Sequence, residues 1–205
     1  MVKVGIIGAS GYAGAELYRL LLNHPHVEIV AISSQSYEGK MISDLYPSFY
    51  GVFDMTFTND QEVIEKADMI FASLPHGLSE KYAKQCDEQG KKFIDLGADF
   101  RLDQEKDYQQ WYQHDYQYPQ LHEKQVYGLS EVNREQIKQA SIIGNPGCYP
   151  TSITLGLYPL LKNHMQKDEK IKDEKIIIDS KSGTTGAGKS LTEDTHFPKC
   201  NESFH

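Results

Sequence analysis

The sequence has no long apolar run and fewer basic than acidic residues. No segment approaches the ~20 apolar residues that a membrane-spanning helix needs, and the N-terminus lacks the charged region, apolar region and cleavage site of a signal peptide. Its 205 residues include 21 Lys and Arg against 29 Asp and Glu, a formal net charge of -8. This balance disfavours non-specific binding to nucleic acid or an anionic membrane. We expect a cytoplasmic globular protein with neither kind of partner, for which a small anionic substrate remains possible.

Cysteine is also scarce. The three cysteines, Cys86, Cys148 and Cys200, are far apart, odd in number and without the spacing of a metal site. This pattern predicts free thiols in a reducing compartment, with no disulfide framework and no bound metal.

What the sequence does contain is an alternation of short apolar runs and helical patterns. Strands are predicted at residues 2–7, 27–32, 69–74, 93–96 and 141–143, and helices at residues 11–22, 78–86 and 150–161. The alternation is typical of an α/β fold with a Rossmann-type parallel sheet and helices on both faces. Residues 97–131, rich in Tyr, Gln and His, are predicted to pack irregularly at the sheet edge.

A second unit is expected after this sheet. Residues 1–147 form the predicted NADP-binding domain, and residues 148–205 begin an incomplete α+β substrate domain, in which residues 175–179 are predicted to be a strand. Residues 183–205 are polar and lack the periodicity of a core-forming element.

A glycine-rich loop joins the first strand to the first helix. Glycines at such a junction allow a tight turn and let a pyrophosphate approach the helix N-terminus. The predicted cofactor contacts are Gly8, Ser10, Gly11, Tyr12 and Ala13. Many strand–helix junctions use glycine for geometry alone, which is the alternative interpretation.

The end of the second strand discriminates between the two nicotinamide cofactors. NAD sites usually place a carboxylate there for the ribose 2′-hydroxyl, whereas this chain has Ser34, Gln35 and Ser36. Neutral hydroxyl and amide groups tolerate a 2′-phosphate that a carboxylate would repel. The pattern favours NADP, unless this is simply a serine-rich loop.

Cys148 stands at the start of a predicted helix. The positive end of a helix dipole stabilises a thiolate, which makes a cysteine there a candidate nucleophile. The alternative is a small buried apolar residue, the role that we predict for Cys86.

Residues 183–190 match the phosphate-binding P-loop pattern letter for letter. A P-loop needs a helix directly afterwards, and the residues that follow are polar and interrupted by Pro198. The pattern therefore favours a mobile loop that closes on a substrate over a nucleotide triphosphatase.

Five motifs in order resemble the N-acetyl-gamma-glutamyl-phosphate reductase family, which is related to aspartate-semialdehyde dehydrogenase. They occur at residues 8–14, 74–77, 95–102, 127–131 and 145–151, and residues 182–189 resemble the family's glycine-rich substrate loop. The resemblance implies an NADP-dependent enzyme that reduces an acyl phosphate to an aldehyde through a thioester on Cys148.

The resemblance also suggests further site residues. Arg101 is the candidate for the substrate phosphate, unless it forms an ion pair with Asp99 or Asp103. His76 is a candidate for the nicotinamide site or for stabilising its own turn. Within the matched motifs, Asn145, Ser182 and Gly183 are assigned to the substrate and Gly186 to the cofactor.

The chain departs from the family at two points. Gln35 stands near the position where the family often has an arginine for the 2′-phosphate, and the family's His-Arg-His stretch, which holds the acid–base histidine, is absent. We therefore expect a truncated enzyme, inactive alone and a dimer or tetramer at full length. An aminoadipate-type or aspartyl phosphate substrate, or a non-catalytic NADP-binding protein, are the alternatives.

Overall fold

The computed structural model of the chain describes residues 1–166, 175–190 and 192–196. The chain divides into two compact units, Met1–Asn145 and Pro146–His205. Cys200, one of the three predicted free thiols, lies outside the described residues.

A six-stranded, all-parallel sheet is the frame of the first unit. Its strands follow the order β2-β1-β3-β4-β6-β5. They are β1 (Val2–Ile7), β2 (Val27–Ile32), β3 (Met69–Ala72), β4 (Lys92–Asp95), β5 (Gln125–Tyr127) and β6 (Ile142–Gly144). The predicted α/β fold with a parallel sheet is confirmed.

Helices connect the strands of the first unit. They are α1 (Tyr12–Leu21), α2 (Ile42–Leu45), α3 (Asp60–Lys66), α4 (Glu80–Glu88), α5 (Glu105–Tyr112), α6 (Pro119–His122) and α7 (Ser130–Gln139), with a short 3₁₀ helix at Pro47–Phe49. A parallel sheet requires such crossovers, because consecutive parallel strands begin at the same edge.

Successive side chains of a strand point to opposite faces of the sheet, so apolar residues pack on both faces. Val4 and Ile6 of β1 pack with Tyr18 of α1 on one face. Ile7 packs on the other face, with residues of α3 and α4 that include Val63. Because side chains alternate along a strand, β1 contributes to two apolar layers and is buried between them.

About half of the region predicted to be irregular has neither helix nor strand, and the rest forms short elements that the prediction missed. The region contains α5, α6 and the edge strand β5. The buried residue of α5 is Tyr108, whose polar hydroxyl conceals the helical pattern, and α6 is only four residues long.

The second unit contains the long helix α8 (Cys148–Gln166), two residues earlier at its start than predicted. Short 3₁₀ helices follow at Thr184–Ala187 and Glu193–Thr195. The strand predicted at residues 175–179 is absent, and Ile177 is 92% exposed. A strand is stable only when it pairs with another, and among the described residues of this unit there is no such partner.

Candidate functional site

The glycine-rich loop after β1 has two glycines that the fold requires and one that leaves space. Gly8 has a φ of +74°, and a Cβ there would lie 2.3 Å from the carbonyl oxygen of Ser73. A Cβ at Gly14 would lie 2.5 Å from the carbonyl oxygen of Ala9. At Gly11 the nearest atom would be 3.9 Å away, so a side chain there would fill open space above the loop.

The first turn of α1 has the features of an anion site. No side chain caps its first residues and no acidic residue lies in the turn, so the positive end of the helix dipole is not neutralised locally. Tyr12 and Ala13 at this turn are exposed. The residues present therefore fit the pyrophosphate of a dinucleotide.

The end of β2 lies directly beside this loop. The Ser34 hydroxyl donates to the Ser10 hydroxyl oxygen over 2.8 Å, while Gln35 and Ser36 are exposed. The structure thus brings Ser34, which is buried, to the predicted pyrophosphate loop, and Gln35 and Ser36 follow it in the chain.

Tyr46 also belongs to this cluster, although no sequence motif indicated it. Its hydroxyl donates to the Ser10 carbonyl oxygen over 2.9 Å. Burial raises the pKa of Tyr46 to about 12, with smaller contributions from Tyr12 and Tyr37. The hydroxyl therefore stays protonated at neutral pH and holds the loop as a donor.

A buried aspartate fixes the loop that carries His76 beyond the end of β3. The Asp99 carboxylate accepts the Gly77 N–H over 2.7 Å and the Ser79 N–H over 2.8 Å. It also accepts the hydroxyl of Tyr108 over 2.8 Å. His76 itself is exposed, and its ring lies 5.0 Å from that of Tyr112. Its environment is compatible with either predicted role.

A second buried carboxylate lies next to the first. Asp95, at the end of β4, accepts the Ser79 hydroxyl over 2.6 Å and the Asp99 N–H over 3.1 Å. Burial raises the pKa of Asp95 to about 6, against the lowering effect of the Ser79 hydrogen bond. The two carboxylates thus join the loops that follow β3 and β4, a function that the motif at residues 95–102 did not disclose.

Arg101 points to backbone oxygens and forms neither of the ion pairs considered from the sequence. Its Nε donates to the Asn145 carbonyl oxygen over 2.7 Å and its Nη2 to the Leu96 carbonyl oxygen over 2.9 Å. The guanidinium is half-buried. Arg101 therefore links the loop after β4 to Asn145, the residue that follows β6, and the structure brings these two substrate candidates into contact.

The second unit holds the remaining predicted residues. Cys148 is exposed and is the first residue of α8. Ser182 is half-buried, whereas Gly183 and Gly186 are exposed.

Cys86, by contrast, is fully buried, as predicted. Desolvation raises the pKa of its thiol to about 12, so it is a poor nucleophile at neutral pH.

The P-loop pattern does not have the structure of a P-loop. Residues Thr184–Ala187 form a 3₁₀ helix, and Gly188 has a φ of +82°. The described residues after the pattern, 192–196, contain only another 3₁₀ turn. The α-helix that a P-loop needs is therefore not found in the described part of the chain.

No helix among the described residues is long and apolar enough to cross a membrane. They also contain no cluster of three or more His, Cys, Asp or Glu side chains arranged to hold a metal ion.

A parallel doubly wound sheet, with a glycine loop leading into an uncapped helix, defines a dinucleotide-binding domain of the Rossmann class. The family model for the NAD-binding domain of semialdehyde dehydrogenase matches residues 3–140, and the model for the dimerisation domain matches residues 148–205. The chain belongs to the semialdehyde dehydrogenase family.

The chain is also similar to curated enzymes that share one, more specific name. The chain is 55% identical over its full length to an N-acetyl-gamma-glutamyl-phosphate reductase of Clostridium beijerinckii and covers 58% of that protein. It is 51% identical to the enzyme of the same name from Brachyspira hyodysenteriae, again covering 58%. The chain thus spans a little more than half the length of these relatives.

Solved structures agree on the fold. Aspartate semialdehyde dehydrogenase II from Vibrio cholerae, complexed with ASA, has a TM-score of 0.58 at 23% identity, covering 79% of this chain and 47% of its own. Aspartate semialdehyde dehydrogenase with NADP from Candida albicans has a TM-score of 0.52 at 20% identity, with the same coverage.

Proposed function

We propose that the chain supplies the cofactor domain and the nucleophile of a reductase in arginine biosynthesis. The enzyme would convert N-acetyl-L-glutamyl 5-phosphate to N-acetyl-L-glutamate 5-semialdehyde and phosphate with NADPH. The observation that carries the proposal is the exposed thiol of Cys148 at the first residue of α8. Its weight comes from the 55% identity of the whole chain to an enzyme of that name.

The chemistry assigned to Cys148 is covalent catalysis. Its thiolate attacks the acyl carbon, a C–S bond forms, and the C–O bond to phosphate breaks with release of inorganic phosphate. NADPH supplies the hydride when bound. Hydride added to the thioester carbon would leave an oxyanion on the carbon bound to Cys148, and collapse of this oxyanion would break the C–S bond and release the aldehyde and the thiolate of Cys148. A thioester accepts hydride readily and holds the carbonyl in place.

The cofactor is assigned to the loops at the carboxyl edge of the sheet. In this proposal the glycine loop, with Gly8 and Gly11, binds the pyrophosphate, and Ser34 lies at the 2′-phosphate with its two neighbours. His76 is assigned to the nicotinamide, and Gly186 is assigned to the same cofactor. The open space at Gly11 supports a close approach by the pyrophosphate.

The substrate is assigned to Arg101 with Asn145, Ser182 and Gly183. Two carbonyl contacts fix the guanidinium of Arg101, and its other N–H groups are the donors that we assign to the substrate phosphate. The match to a dimerisation domain supports a homo-oligomer.

A chimaera tests the proposal directly. Residues 1–205 replace the matching part of the Clostridium beijerinckii relative, and phosphate-dependent oxidation of N-acetylglutamate semialdehyde by NADP is measured. We expect turnover that Cys148→Ser lowers at least about 1,000-fold. Cys86→Ala, a matched control at a buried thiol, should retain turnover. Unchanged activity of Cys148→Ser would refute the mechanism and favour a non-catalytic NADP-binding protein.

The same chimaera separates the remaining alternatives. Faster turnover of an aminoadipate-type or aspartyl semialdehyde than of the N-acetylglutamate compound would reassign the substrate. ATP binding by the 205-residue chain, lost in Lys189→Ala, would instead support the P-loop interpretation of residues 183–190.

A further inference from the structure

A histidine and a glutamate are buried together in the first unit. The side chains of His122, at the end of α6, and Glu80, at the start of α4, are 4% and 2% exposed. The Nε2 atom of the imidazole lies 3.6 Å from the Oε1 atom of the carboxylate, and it has no hydrogen-bond partner among the residues that the structure describes. A buried polar atom without a partner is destabilising, and a hydrogen on this nitrogen would remove the defect.

The other ring nitrogen of His122 also faces an oxygen atom. Its Nδ1 lies 3.1 Å from the Oε1 atom of Gln125. The orientation of this amide is fixed, because its Nε2 donates to the Leu102 carbonyl oxygen over 2.8 Å and to the Asp103 carboxylate over 3.4 Å. The amide oxygen is an acceptor, so the hydrogen of a neutral imidazole belongs on Nδ1. The Nε2 atom of that neutral ring would then direct a lone pair at the Glu80 carboxylate.

The carboxylate of Glu80 contacts both ends of α6. Its Oε2 accepts the N–H of Tyr118, the residue before the helix, over 2.7 Å, and its Oε1 faces His122 at the last position. No Lys or Arg side chain in the described part of the chain lies within ion-pairing distance of it. A buried carboxylate without an opposite charge is strongly destabilising. A second hydrogen on the His122 ring supplies both the charge and the donor.

Two aromatic rings stack on the imidazole. The ring of Tyr116 is nearly parallel to it, at 6°, with 3.4 Å between the centroids, and the ring of Phe100 lies 4.9 Å away at 28°. A cation over the face of an aromatic ring is attracted by the electron density of that face. The two rings therefore also favour a positive charge on His122.

The charges around the pair are mainly negative. Burial raises the pKa of Tyr116 to about 12, with smaller contributions from nearby carboxylates, so its hydroxyl stays protonated while the pair titrates. Carboxylates that act on Tyr116 also favour a positive charge on the ring that it covers. They are Asp103, Glu105, Glu80 and Asp107. The facing cations are Lys84, 5.0 Å from the ring centroid of Tyr118, and Lys124, which is paired with Asp87.

We propose that His122 is an imidazolium in the folded chain and forms with Glu80 a proton-dependent switch that fastens α6 to α4. When rising pH transfers this proton to water, a buried carboxylate faces a lone pair and the contact between the two helices weakens. Glu80 directly follows Ser79, whose N–H donates to the Asp99 carboxylate over 2.8 Å. The switch therefore adjoins the loop that carries His76.

The protonation state is measured on the unmodified 205-residue chain. Nuclear magnetic resonance of ¹⁵N-labelled histidine shows which ring nitrogens carry a hydrogen, and the spectrum of His122→Gln identifies the signals of that residue. At about pH 7.5, where an ordinary histidine is mainly neutral, we expect both ring nitrogens of His122 to carry a hydrogen. His24 and His26, which are exposed, are internal controls. A neutral His122 at this pH would overturn the proposal.

The contact itself is followed by hydrogen exchange of the Tyr118 N–H, the backbone donor to Glu80. Between about pH 7 and about pH 9, and after correction for the intrinsic rate, exchange in the unmodified chain should accelerate at least about ten-fold. Glu80→Gln should change less than about two-fold, because its amide can donate to a neutral His122. Glu105→Gln is the matched control, since Glu105 accepts the Tyr116 N–H over 3.1 Å but is exposed. It should behave like the unmodified chain.

Each outcome decides for or against the switch. Exchange of the Tyr118 N–H that does not accelerate with pH, or that accelerates equally in Glu80→Gln, would refute it. If Glu80→Gln does not fold, the protonation state of His122 in the unmodified chain decides alone. Neither measurement involves a nucleotide or a substrate, so the proposed function can fail while the switch stands, and the reverse.

Discussion

In the first loop, protein atoms exclude a side chain at Gly14 but leave room for one at Gly11. Gly14 is excluded by protein atoms, because a Cβ would meet the carbonyl of Ala9 at 2.5 Å. Gly11 meets nothing closer than 3.9 Å and has a φ of -77°, which any residue adopts. The fold therefore leaves room for a side chain at Gly11, the position at which we propose that the pyrophosphate approaches.

Two alanine substitutions separate these causes. Gly11→Ala should change the free energy of unfolding by less than about 1 kcal/mol while weakening NADPH binding at least about ten-fold. Gly14→Ala should lower the free energy of unfolding by about 1–3 kcal/mol, because the new methyl overlaps backbone atoms. Urea unfolding and fluorescence titration measure the two effects. Normal NADPH affinity in Gly11→Ala would argue against a pyrophosphate at this loop.

Asp95 gives the first unit a pH dependence of unusual sign. Its pKa is about 6 in the folded chain, mainly through burial, against an ordinary value of 3.8. The folded state therefore keeps a proton that the unfolded chain releases. The stabilisation is fully present below about pH 4 and is lost as pH rises through about 6, with a total of about 3 kcal/mol.

Asp95→Asn removes this titration. Between pH 4 and pH 7 the unmodified chain should lose about 2 kcal/mol of unfolding free energy relative to the variant, because only the unmodified chain contains the titrating carboxyl. Urea unfolding at steps of pH measures the difference, and Asp103→Asn, at an exposed position, is the control. Parallel curves for Asp95→Asn and the unmodified chain would contradict the role of Asp95.

At the scale of elements, α3 shows how one polar residue sets a helix boundary. The Asn59 side chain accepts the Glu62 N–H over 2.9 Å, and the helix then buries Val63 and Ile64 against the sheet. The sequence prediction missed this helix, although a capping asparagine with acidic residues in the next turn is the signal that could have found it.

Loss of that cap should be measurable. Asn59→Ala should lower the free energy of unfolding by about 1 kcal/mol, and Asn59→Asp, which restores an acceptor, should recover most of it. Equilibrium urea unfolding at neutral pH provides the values. If the aspartate variant is as unstable as the alanine variant, the effect does not come from the cap.

The elements that the sequence predicted correctly are those with apolar runs. β1 and β2 were predicted at their observed bounds, since each is a short run of aliphatic residues before a turn. β5 was missed because three residues, Gln125–Tyr127, are too few to show a period. The exposed run at residues 175–179 shows the converse, that strand propensity without a pairing partner does not make a strand.

The candidate site could be predicted only where its residues are adjacent in the chain. The glycine loop and Cys148 are recognisable because their residues are neighbours in the chain. The contacts of Asp99 with Gly77 and Ser79 depend on β3 and β4 being adjacent in the sheet, and the contact of Tyr46 with Ser10 depends on a long return of the chain. Such pairings are set by tertiary packing, which a single sequence does not display.

For the whole molecule, both apolar clusters lie in the first unit. All of their buried residues precede Gly144, and the loops assigned to the glycine site and the 2′-phosphate also belong to residues 1–145. The described part of the second unit contributes no buried apolar residue to either cluster. The first unit thus has the core that independent folding requires.

Residues 1–145 alone should therefore fold and bind NADPH. We expect a cooperative unfolding transition and an NADPH dissociation constant within about three-fold of that of the 205-residue chain. Circular dichroism and fluorescence titration measure these properties. A non-cooperative transition, or binding that needs residues 146–205, would show that the second unit completes the first.

The order of strands in the sheet has a consequence for synthesis on the ribosome. β5 pairs only with β6, and β6 follows it in the chain by about 15 residues. At about 5–20 residues added per second, β5 leaves the ribosome about one to three seconds before its partner does. During that delay β5 has no strand to pair with. Its backbone N–H and C=O groups are then open to pairing with another chain.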